Sequence, residues 1–244
     1  MPEGPSIVIL KEAVQSFKNK KIIRVTGNTK QIDLKQIEGK KILDFKSWGK
    51  HFLICFSKFT IRIHFMLFGS YRINETKDAK PRLSLQFAHG EINFYSCSVR
   101  LVDQPLDEIY DWSSDVMNAQ WNEQQAQRKL KEKPGALVCD ALLDQQIFAG
   151  VGNIIKNEVL FRIRVHPESL IGKLPRAKCN ELIRESVKYS FQFLEWKKAF
   201  TLKKHWLVHT KSICPRDHVR LIKAYLGKTN RRSFFCEVCQ KLYL

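Results

Sequence analysis

The second and third residues, Pro2 and Glu3, are of types that could carry out covalent chemistry. If Met1 is removed, Pro2 presents a terminal secondary amine, and a terminal amine with a pKa of about 8 is partly unprotonated at neutral pH. Such an amine attacks a carbonyl-like carbon to form a Schiff base, and a carboxylate one residue away can transfer protons for that step. A proline near a chain start is also common without any function, so this pair alone does not establish a reaction.

The C-terminal segment carries a metal-binding pattern. Cys214, His218, Cys236 and Cys239 follow the spacing C-x3-H-x17-C-x2-C, and two close pairs of thiolate or imidazole ligands joined by a loop are typical of a structural zinc site. The segment is too short and polar to form a core alone, so a metal would supply its folding energy. We predict one structural Zn²⁺ per chain, with His209 as the rival of His218 for the fourth position.

Three further features could contact a polyanion. Gly150-Val151-Gly152-Asn153 precedes a predicted helix whose N-terminus could hold a phosphate, although an ordinary turn between helices explains the motif equally well. Lys50 lies between two predicted strands, where most lysines are merely solvated. Met66-Leu67-Phe68 cannot all face one side of a strand, so this run is either a buried strand end or a protruding wedge of the kind that enters a base stack.

The first hundred residues predict one helix followed by short strands. Apolar residues recur at helical spacing from Ile7 to Phe17. Six β-rich runs follow, which favours a β-sandwich or barrel; they cover residues 21–25, 41–45, 51–56, 60–66, 82–87 and 92–95.

The rest of the chain predicts helices and a basic tail. The apolar spacing indicates helices over residues 124–133, 140–148, 154–161 and 178–195. Loop and cap formers between residues 111 and 122 predict a linker between domains. We therefore predict an N-terminal domain over 1–110, a linker over 111–122, a helical domain over 123–208 and a metal-binding segment over 209–244.

Composition limits the class of partner. The 244-residue chain is 44% hydrophobic, so it can form hydrophobic cores. Its net charge of +18 favours a polyanionic partner, and nucleic acid is a better candidate than an anionic membrane. No apolar run approaches the roughly 18 residues that span a bilayer, and no secretory signal is evident. The cysteines before Cys214 are typical of reduced core thiols. We expect a cytoplasmic, nucleoid-associated protein of bacterial type with no membrane contact.

In combination, these motifs resemble the Fpg/Nei (formamidopyrimidine-DNA glycosylase / endonuclease VIII) DNA repair enzymes over essentially the whole chain. The resemblance is carried by Met1-Pro2-Glu3-Gly4-Pro5, Trp48-Gly49-Lys50-His51, Leu142-Leu143-Asp144-Gln145, Gly150-Val151-Gly152-Asn153, Glu158-Val159-Leu160-Phe161, His166-Pro167, and Arg231 with Cys236-x2-Cys239-Gln240. It implies an α+β fold: an N-terminal β-sandwich with an N-terminal helix, a C-terminal helical domain with a helix–two-turn–helix (H2TH) element, and a zinc finger.

The resemblance also implies an activity, that of a bifunctional base-excision-repair DNA glycosylase and AP lyase. Pro2 would attack C1′ of a flipped, damaged nucleotide, Glu3 would act as general acid, and β,δ-elimination would then cut the strand. Lys50 would be catalytic together with Pro2 and Glu3 and, with Asn153 and Arg231, would hold the phosphates around the lesion. The void left by the base would be filled by Met66, Leu67 and Phe68. The partner would be double-stranded DNA with damaged bases or abasic sites, bound by a monomer that needs no small organic cofactor.

The subfamily is indicated less directly. Tyr95-Ser96-Cys97-Ser98 resembles the Nei branch, and the Arg-x-Phe loop of the Fpg branch is not found. Nei-like enzymes favour oxidised pyrimidines, which we expect here. Two departures stand out: Ser6 replaces a usual glutamate, and Cys-x3-His replaces the commoner Cys-x2-Cys, as in one branch of vertebrate Nei-like enzymes. The alternatives are a non-catalytic zinc-containing binder of damaged DNA and a basic zinc-ribbon protein that binds RNA or ribosomes.

Overall fold

The computed structural model describes residues 2–244. Residues up to Tyr110 form one compact unit, and Asp111–Leu244 forms a second. The finer division predicted at residues 122 and 208 stays a prediction. Across the described residues, we find no helix with the length and apolar character that crossing a bilayer requires.

The first unit begins with a helix that packs on the strands. This helix, α1 (Gly4–Ala13), starts with a proline in its first turn, where the missing N–H group has no helical partner to lose. Ile7 and Leu10 on its inner face are buried in the core of the unit. Short 3₁₀ turns follow at Gln15–Phe17 and Leu34–Gln36.

Six antiparallel strands form the sheet of this unit. They are β1 (Arg24–Thr26), β2 (Asp44–Trp48), β3 (His51–Cys55), β4 (Thr60–Ile73), β5 (Leu83–Phe87) and β6 (Gly90–Val102), in the sheet order β1-β5-β6-β4-β3-β2. The register of β4 on β6 shifts between Phe65 and Ser70. Strand β3 pairs with β4 before this bulge, and β5 pairs with β6 beyond it.

The two halves of the sheet share one hydrophobic core. Phe52 of β3 and Phe94 of β6, from opposite halves, lie with their ring centroids 6.0 Å apart. The predicted β-sandwich with an N-terminal helix is therefore confirmed. The short helix α2 (Leu106–Ile109) ends the unit.

The second unit is helical. Its helices are α3 (Glu123–Lys131), α4 (Val138–Leu143), α5 (Asn153–Arg162) and α6 (Arg176–Lys198), with 3₁₀ turns at Trp112–Ser114, Ile171–Lys173 and Leu202–His205. Helix α6 buries one stripe that includes Leu182 and Phe193, whereas α5 is buried on all sides from Asn153 to Phe161. A helix this buried must find partners for its polar side chains inside the protein.

A β-hairpin follows the helices. Its strands are β7 (Ile222–Leu226) and β8 (Arg231–Phe235). The turn between them is held by the Asp140 carboxylate of α4, which accepts from the backbone N–H groups of Lys228 (2.9 Å) and Thr229 (3.3 Å). Gly227 has a φ of +72°, and a Cβ there would come within 2.4 Å of Asp140 Oδ1. Only glycine fits this closely held turn.

Candidate active site and metal centre

Pro2 and Glu3 lie at the start of α1. Pro2 is partly buried, whereas Glu3 is fully buried. Glu3 is the N-cap residue of the helix and has an extended backbone (φ −120°, ψ 173°), and its carbonyl accepts from the Ser6 N–H at 2.8 Å. The helix therefore fixes the backbone of Glu3, and Pro2 directly precedes it, while Met1 lies outside the described residues.

Lys50 lies at the tip of the β2–β3 hairpin and is partly buried. Gly49 before it has a φ of +52°, which a glycine adopts without strain. The ring of Trp48 lies 5.0 Å from that of Tyr110 and 5.7 Å from that of His51, between centroids. Packed rings on both sides of the tip hold Lys50 on a rigid support.

The structure adds a histidine pair that sequence reasoning missed. His51 of β3 pairs in register with His64 of β4, and their rings meet edge-on with centroids 5.2 Å apart. His51 Nδ1 lies 3.2 Å from the Tyr110 hydroxyl. Burial, followed by the charges of His64, Arg62 and Lys50, lowers the pKa of His51 to about 3, and burial also lowers the pKa of His64. Only the strand register reveals this pair, because the two residues are distant in sequence.

The predicted wedge lies in the bulge of β4. Met66, Leu67 and Phe68 are 56%, 55% and 84% exposed, so the structure places them in a protruding bulge and not in a buried strand end. A Cβ on the following Gly69 would come 2.7 Å from Phe65 Cβ. The close packing at Gly69 thus fixes the base of an apolar protrusion.

Asn153 and Arg231 are placed close together in the second unit. Asn153 begins α5 and is buried, and its Nδ2 donates to the carbonyl of Arg232 at 2.9 Å. Arg231, the preceding residue, begins β8 and is exposed. The helix start and the hairpin, predicted separately as phosphate contacts, are therefore joined directly.

Glu158 anchors the loop that precedes the metal-binding segment. Its buried carboxylate accepts from the backbone N–H groups of Leu207 (2.9 Å), Val208 (3.0 Å) and His209 (2.8 Å). Burial raises the pKa of Glu158, and these three donors oppose the increase. The His209 ring bonds with Asn157 at 3.1 Å. This rival metal ligand is thus engaged elsewhere.

Three of the predicted metal ligands lie together with an aspartate. One ligand atom from each of Cys214, Asp217, Cys236 and Cys239 lies within 4.8 Å of all the others. The Asp217 carboxylate accepts from Cys214 Sγ at 3.3 Å and from Cys236 Sγ at 3.2 Å. Four convergent donors, three of them thiols, fit a closed tetrahedral site for a metal such as zinc.

The fourth position differs from the sequence prediction. His218 lies outside this group, and Asp217 takes its place. The chain reverses at His218 with a φ of +56°, its N–H donates to the Cys214 carbonyl at 3.0 Å, and its side chain is exposed. The same turn directs the Asp217 carboxylate to the thiols. Spacing alone cannot distinguish two adjacent candidates, and the histidine was predicted because thiolate and imidazole ligands are typical of structural zinc sites.

Comparisons with known proteins agree with this architecture. The model of the formamidopyrimidine-DNA glycosylase N-terminal domain matches residues 1–104, and that of the H2TH domain of the same enzymes matches residues 113–199. The solved structure of Lactococcus lactis formamidopyrimidine-DNA glycosylase, bound non-covalently to DNA with an AP site, has a TM-score of 0.86 and 21% identity, covering 98% of this chain and 99% of that one. At that identity the likeness shows the fold.

Curated relatives are closer in sequence. Endonuclease 8-like 3 of Xenopus laevis is 30% identical to this chain, and the match covers 86% of this chain and 36% of that protein. Endonuclease 8-like 2 of Bos taurus is 34% identical, and the match covers 74% of this chain and 58% of that protein. The chain belongs to the Fpg/Nei family of DNA glycosylases, as its motifs predicted. It spans between about a third and three fifths of these relatives' lengths. Because these relatives are vertebrate proteins, they give no support to the predicted bacterial-type setting.

Proposed function

We propose that the chain is a bifunctional DNA glycosylase and AP lyase of the endonuclease 8-like type. The observation that carries the proposal is Pro2 followed by a fully buried Glu3 at the start of α1, within the segment that matches the family's N-terminal domain model. The names of the curated relatives and the abasic DNA bound to the Lactococcus enzyme support the same activity.

The proposed reaction begins with removal of Met1. The Pro2 nitrogen then bonds to C1′ of the damaged nucleotide and loses its N–H proton while the C1′–base bond breaks, and the base leaves with the bonding electrons and takes up a proton. Glu3 protonates the ring oxygen, which opens the sugar and leaves an iminium at C1′. β-Elimination takes a C2′ proton and expels the 3′ phosphate, and δ-elimination expels the 5′ phosphate.

The remaining predicted residues have binding roles in this proposal. Lys50, Arg231 and the start of α5 at Asn153 contact phosphates, which positions the DNA without reading its sequence. The exposed side chains of the β4 bulge fill the void that the flipped base leaves. The Nei-like stretch at residues 95–98 favours oxidised pyrimidines as substrates. We propose that the chain acts as a monomer on double-stranded DNA.

A structural zinc completes the proposal. Cys214, Cys236 and Cys239 would hold it, with the Asp217 carboxylate as the fourth ligand. With four protein ligands the metal has no open position, so it stabilises the fold and takes no part in the reaction.

Borohydride trapping tests the proposed function. The protein, shown by intact mass to lack Met1, is mixed with DNA carrying an abasic site or thymine glycol and then reduced. We expect a covalent protein–DNA adduct and, without reduction, β,δ-elimination products. An added residue before Pro2, which converts the Pro2 nitrogen into an amide, should remove the adduct. If no adduct forms on either DNA with Pro2 demonstrably terminal, the proposal is refuted.

A further inference from the structure

Three side chains of α5 converge on one backbone carbonyl of the hairpin. The carbonyl of Arg232 accepts from Asn153 Nδ2 at 2.9 Å, from Lys156 Nζ at 3.3 Å and from Asn157 Nδ2 at 3.4 Å. Asn157 Oδ1 also accepts from the Phe234 N–H at 3.4 Å. One turn of a buried helix therefore fixes the backbone of β8 just after Arg231.

Lys156 is the unusual member of this group. Its side chain is 1% exposed, and lysine is almost never fully buried without hydrogen-bond partners, because an ammonium loses its hydration there. Its Nζ donates to Ser233 Oγ at 2.8 Å in addition to the Arg232 carbonyl. The ammonium of α5 thus donates hydrogen bonds to two consecutive residues of β8.

Arg231 lies between two such attachments. On one side, Asp140 holds the turn through the N–H groups of Lys228 and Thr229. On the other side, Lys156 holds Arg232 and Ser233. The Arg231 side chain itself is exposed. Its backbone position is therefore set by Asp140 of α4 and Lys156 of α5. Neither side chain needs to contact a bound DNA for Arg231 to do so.

We infer that Lys156 is a positioning residue for Arg231: its buried ammonium holds β8 so that the Arg231 guanidinium meets a DNA phosphate. The inference depends on the proposed function, because it assigns Arg231 a phosphate contact. Replacing Lys156 by methionine keeps most of the apolar stem and removes the donor. The β8 backbone then loses its hydrogen bonds to the Lys156 ammonium. The backbone of Arg231 is no longer held in place, although the Arg231 side chain is unchanged.

The salt dependence of DNA binding tests this inference. Each phosphate contact contributes about one unit to the slope of log K against log salt. We expect Arg231→Gln to lower the slope by about one, and Lys156→Met to lower it similarly. The double variant should lose about one unit, not about two, because both changes remove the same contact. Lys188→Met, which removes an exposed charge from α6, is the matched control and should keep the wild-type slope.

Two further measurements separate positioning from general damage. At saturating enzyme the single-turnover cleavage rate of Lys156→Met should stay near that of the wild type. The enzyme concentration that gives half of this rate should rise. Hydrogen exchange of the amides in residues 231–235 should be faster in Lys156→Met than in the wild type, even without DNA. If Lys156→Met does not fold, Ser233→Ala, which removes one partner of the ammonium, should show both changes in weaker form.

The outcomes distinguish this inference from the proposed function. A wild-type protein that neither binds abasic DNA nor forms an adduct refutes the proposed function, while exchange at residues 231–235 still reports whether Lys156 holds the strand. Additive slopes in the double variant, an unchanged slope in folded Lys156→Met, or unchanged exchange would each overturn the positioning role.

Discussion

The partly buried His51 should make the stability of the N-terminal unit depend on pH. Its ring lies edge-on to His64 with centroids 5.2 Å apart, and burial and nearby cations hold its pKa at about 3. In the unfolded chain a histidine has a pKa of about 6.5. The folded ring therefore stays neutral over a pH range in which the unfolded ring takes up a proton, so acid favours the unfolded state.

The size of this effect follows from the two pKa values. The contribution is fully present above pH 6.5 and is lost as the pH falls towards 3. Within this window each pH unit removes about 1.4 kcal/mol, so lowering the pH from 7 to 5 should remove about 2 kcal/mol. This is a large fraction of the roughly 5–15 kcal/mol that holds a typical domain folded.

Hydrogen exchange in residues 44–55, which contain β2 and β3, reports the free energy of the opening that exposes these strands. We would compare the wild type with His51→Phe, which keeps a ring but cannot titrate, between pH 7 and pH 5. The wild type should lose about 2 kcal/mol more than the variant. His89→Phe, at an exposed position of the same unit, controls for the loss of a histidine. Acid release of a bound metal would affect all three proteins, so only the difference counts, and equal slopes in wild type and His51→Phe would refute the reasoning.

Three further predictions concern the metal, the bulge and the buried carboxylate. Asp217→Asn should weaken zinc binding in a chelator competition more than His218→Asn does, because the Asp217 carboxylate lies with the three thiols whereas His218 lies outside that group and is exposed; the reverse order would assign the histidine as ligand. Gly69→Ala should lower the unfolding free energy in urea by about 1–3 kcal/mol, because its Cβ would press on Phe65; an unchanged midpoint would contradict a closely packed bulge. Glu158→Gln should cost about 1–3 kcal/mol in thermal unfolding, because an amide NH₂ would face the Leu207 N–H; a variant as stable as the wild type would show that the loop does not need the carboxylate.

Helices were the most predictable part of the fold, because their apolar spacing is a local signal. The predicted helices over residues 154–161 and 178–195 lie within α5 and α6 and fall short of them by at most three residues at each end. The helix predicted over 140–148 ends at Leu143 instead. There the Asp144 side chain accepts from the Gln146 N–H at 2.9 Å, and such a local bond competes with the helix.

The long strands were less predictable, because a bulge depends on two strands at once. The run predicted to end at residue 66 continues as β4 to Ile73, and the run predicted over 92–95 is part of β6, which extends to Val102. Ser96 of β6, with a φ of +48°, lies near the bulge, where its carbonyl would be 2.8 Å from a Cβ on Gly69. Neither segment alone carries a signal for this pairing.

The residues of the candidate site also differ in how far the sequence predicts them. Pro2, Glu3 and the cysteine spacing are short local motifs that can be found in one sequence. The His51–His64 pair needs the strand register, and the Lys156 contact needs the packing of the hairpin on α5. The choice between Asp217 and His218 depends on the path of a single turn, which composition and spacing do not determine.

Helix α5 connects the metal centre to the proposed DNA contacts. Its Glu158 caps the loop at 207–209, and its last carbonyls, of Phe161 and Arg162, accept from Arg216 beside the cysteine cluster at 2.9 Å and 3.3 Å. Its first turn holds β8 behind Arg231. The metal-binding segment and the loop before it therefore supply partners along a buried helix, and the helix in turn fixes the backbone next to the exposed Arg231. A bound zinc would therefore help to determine where Arg231 can meet a phosphate, because the metal-binding segment and Arg231 are joined through one buried helix.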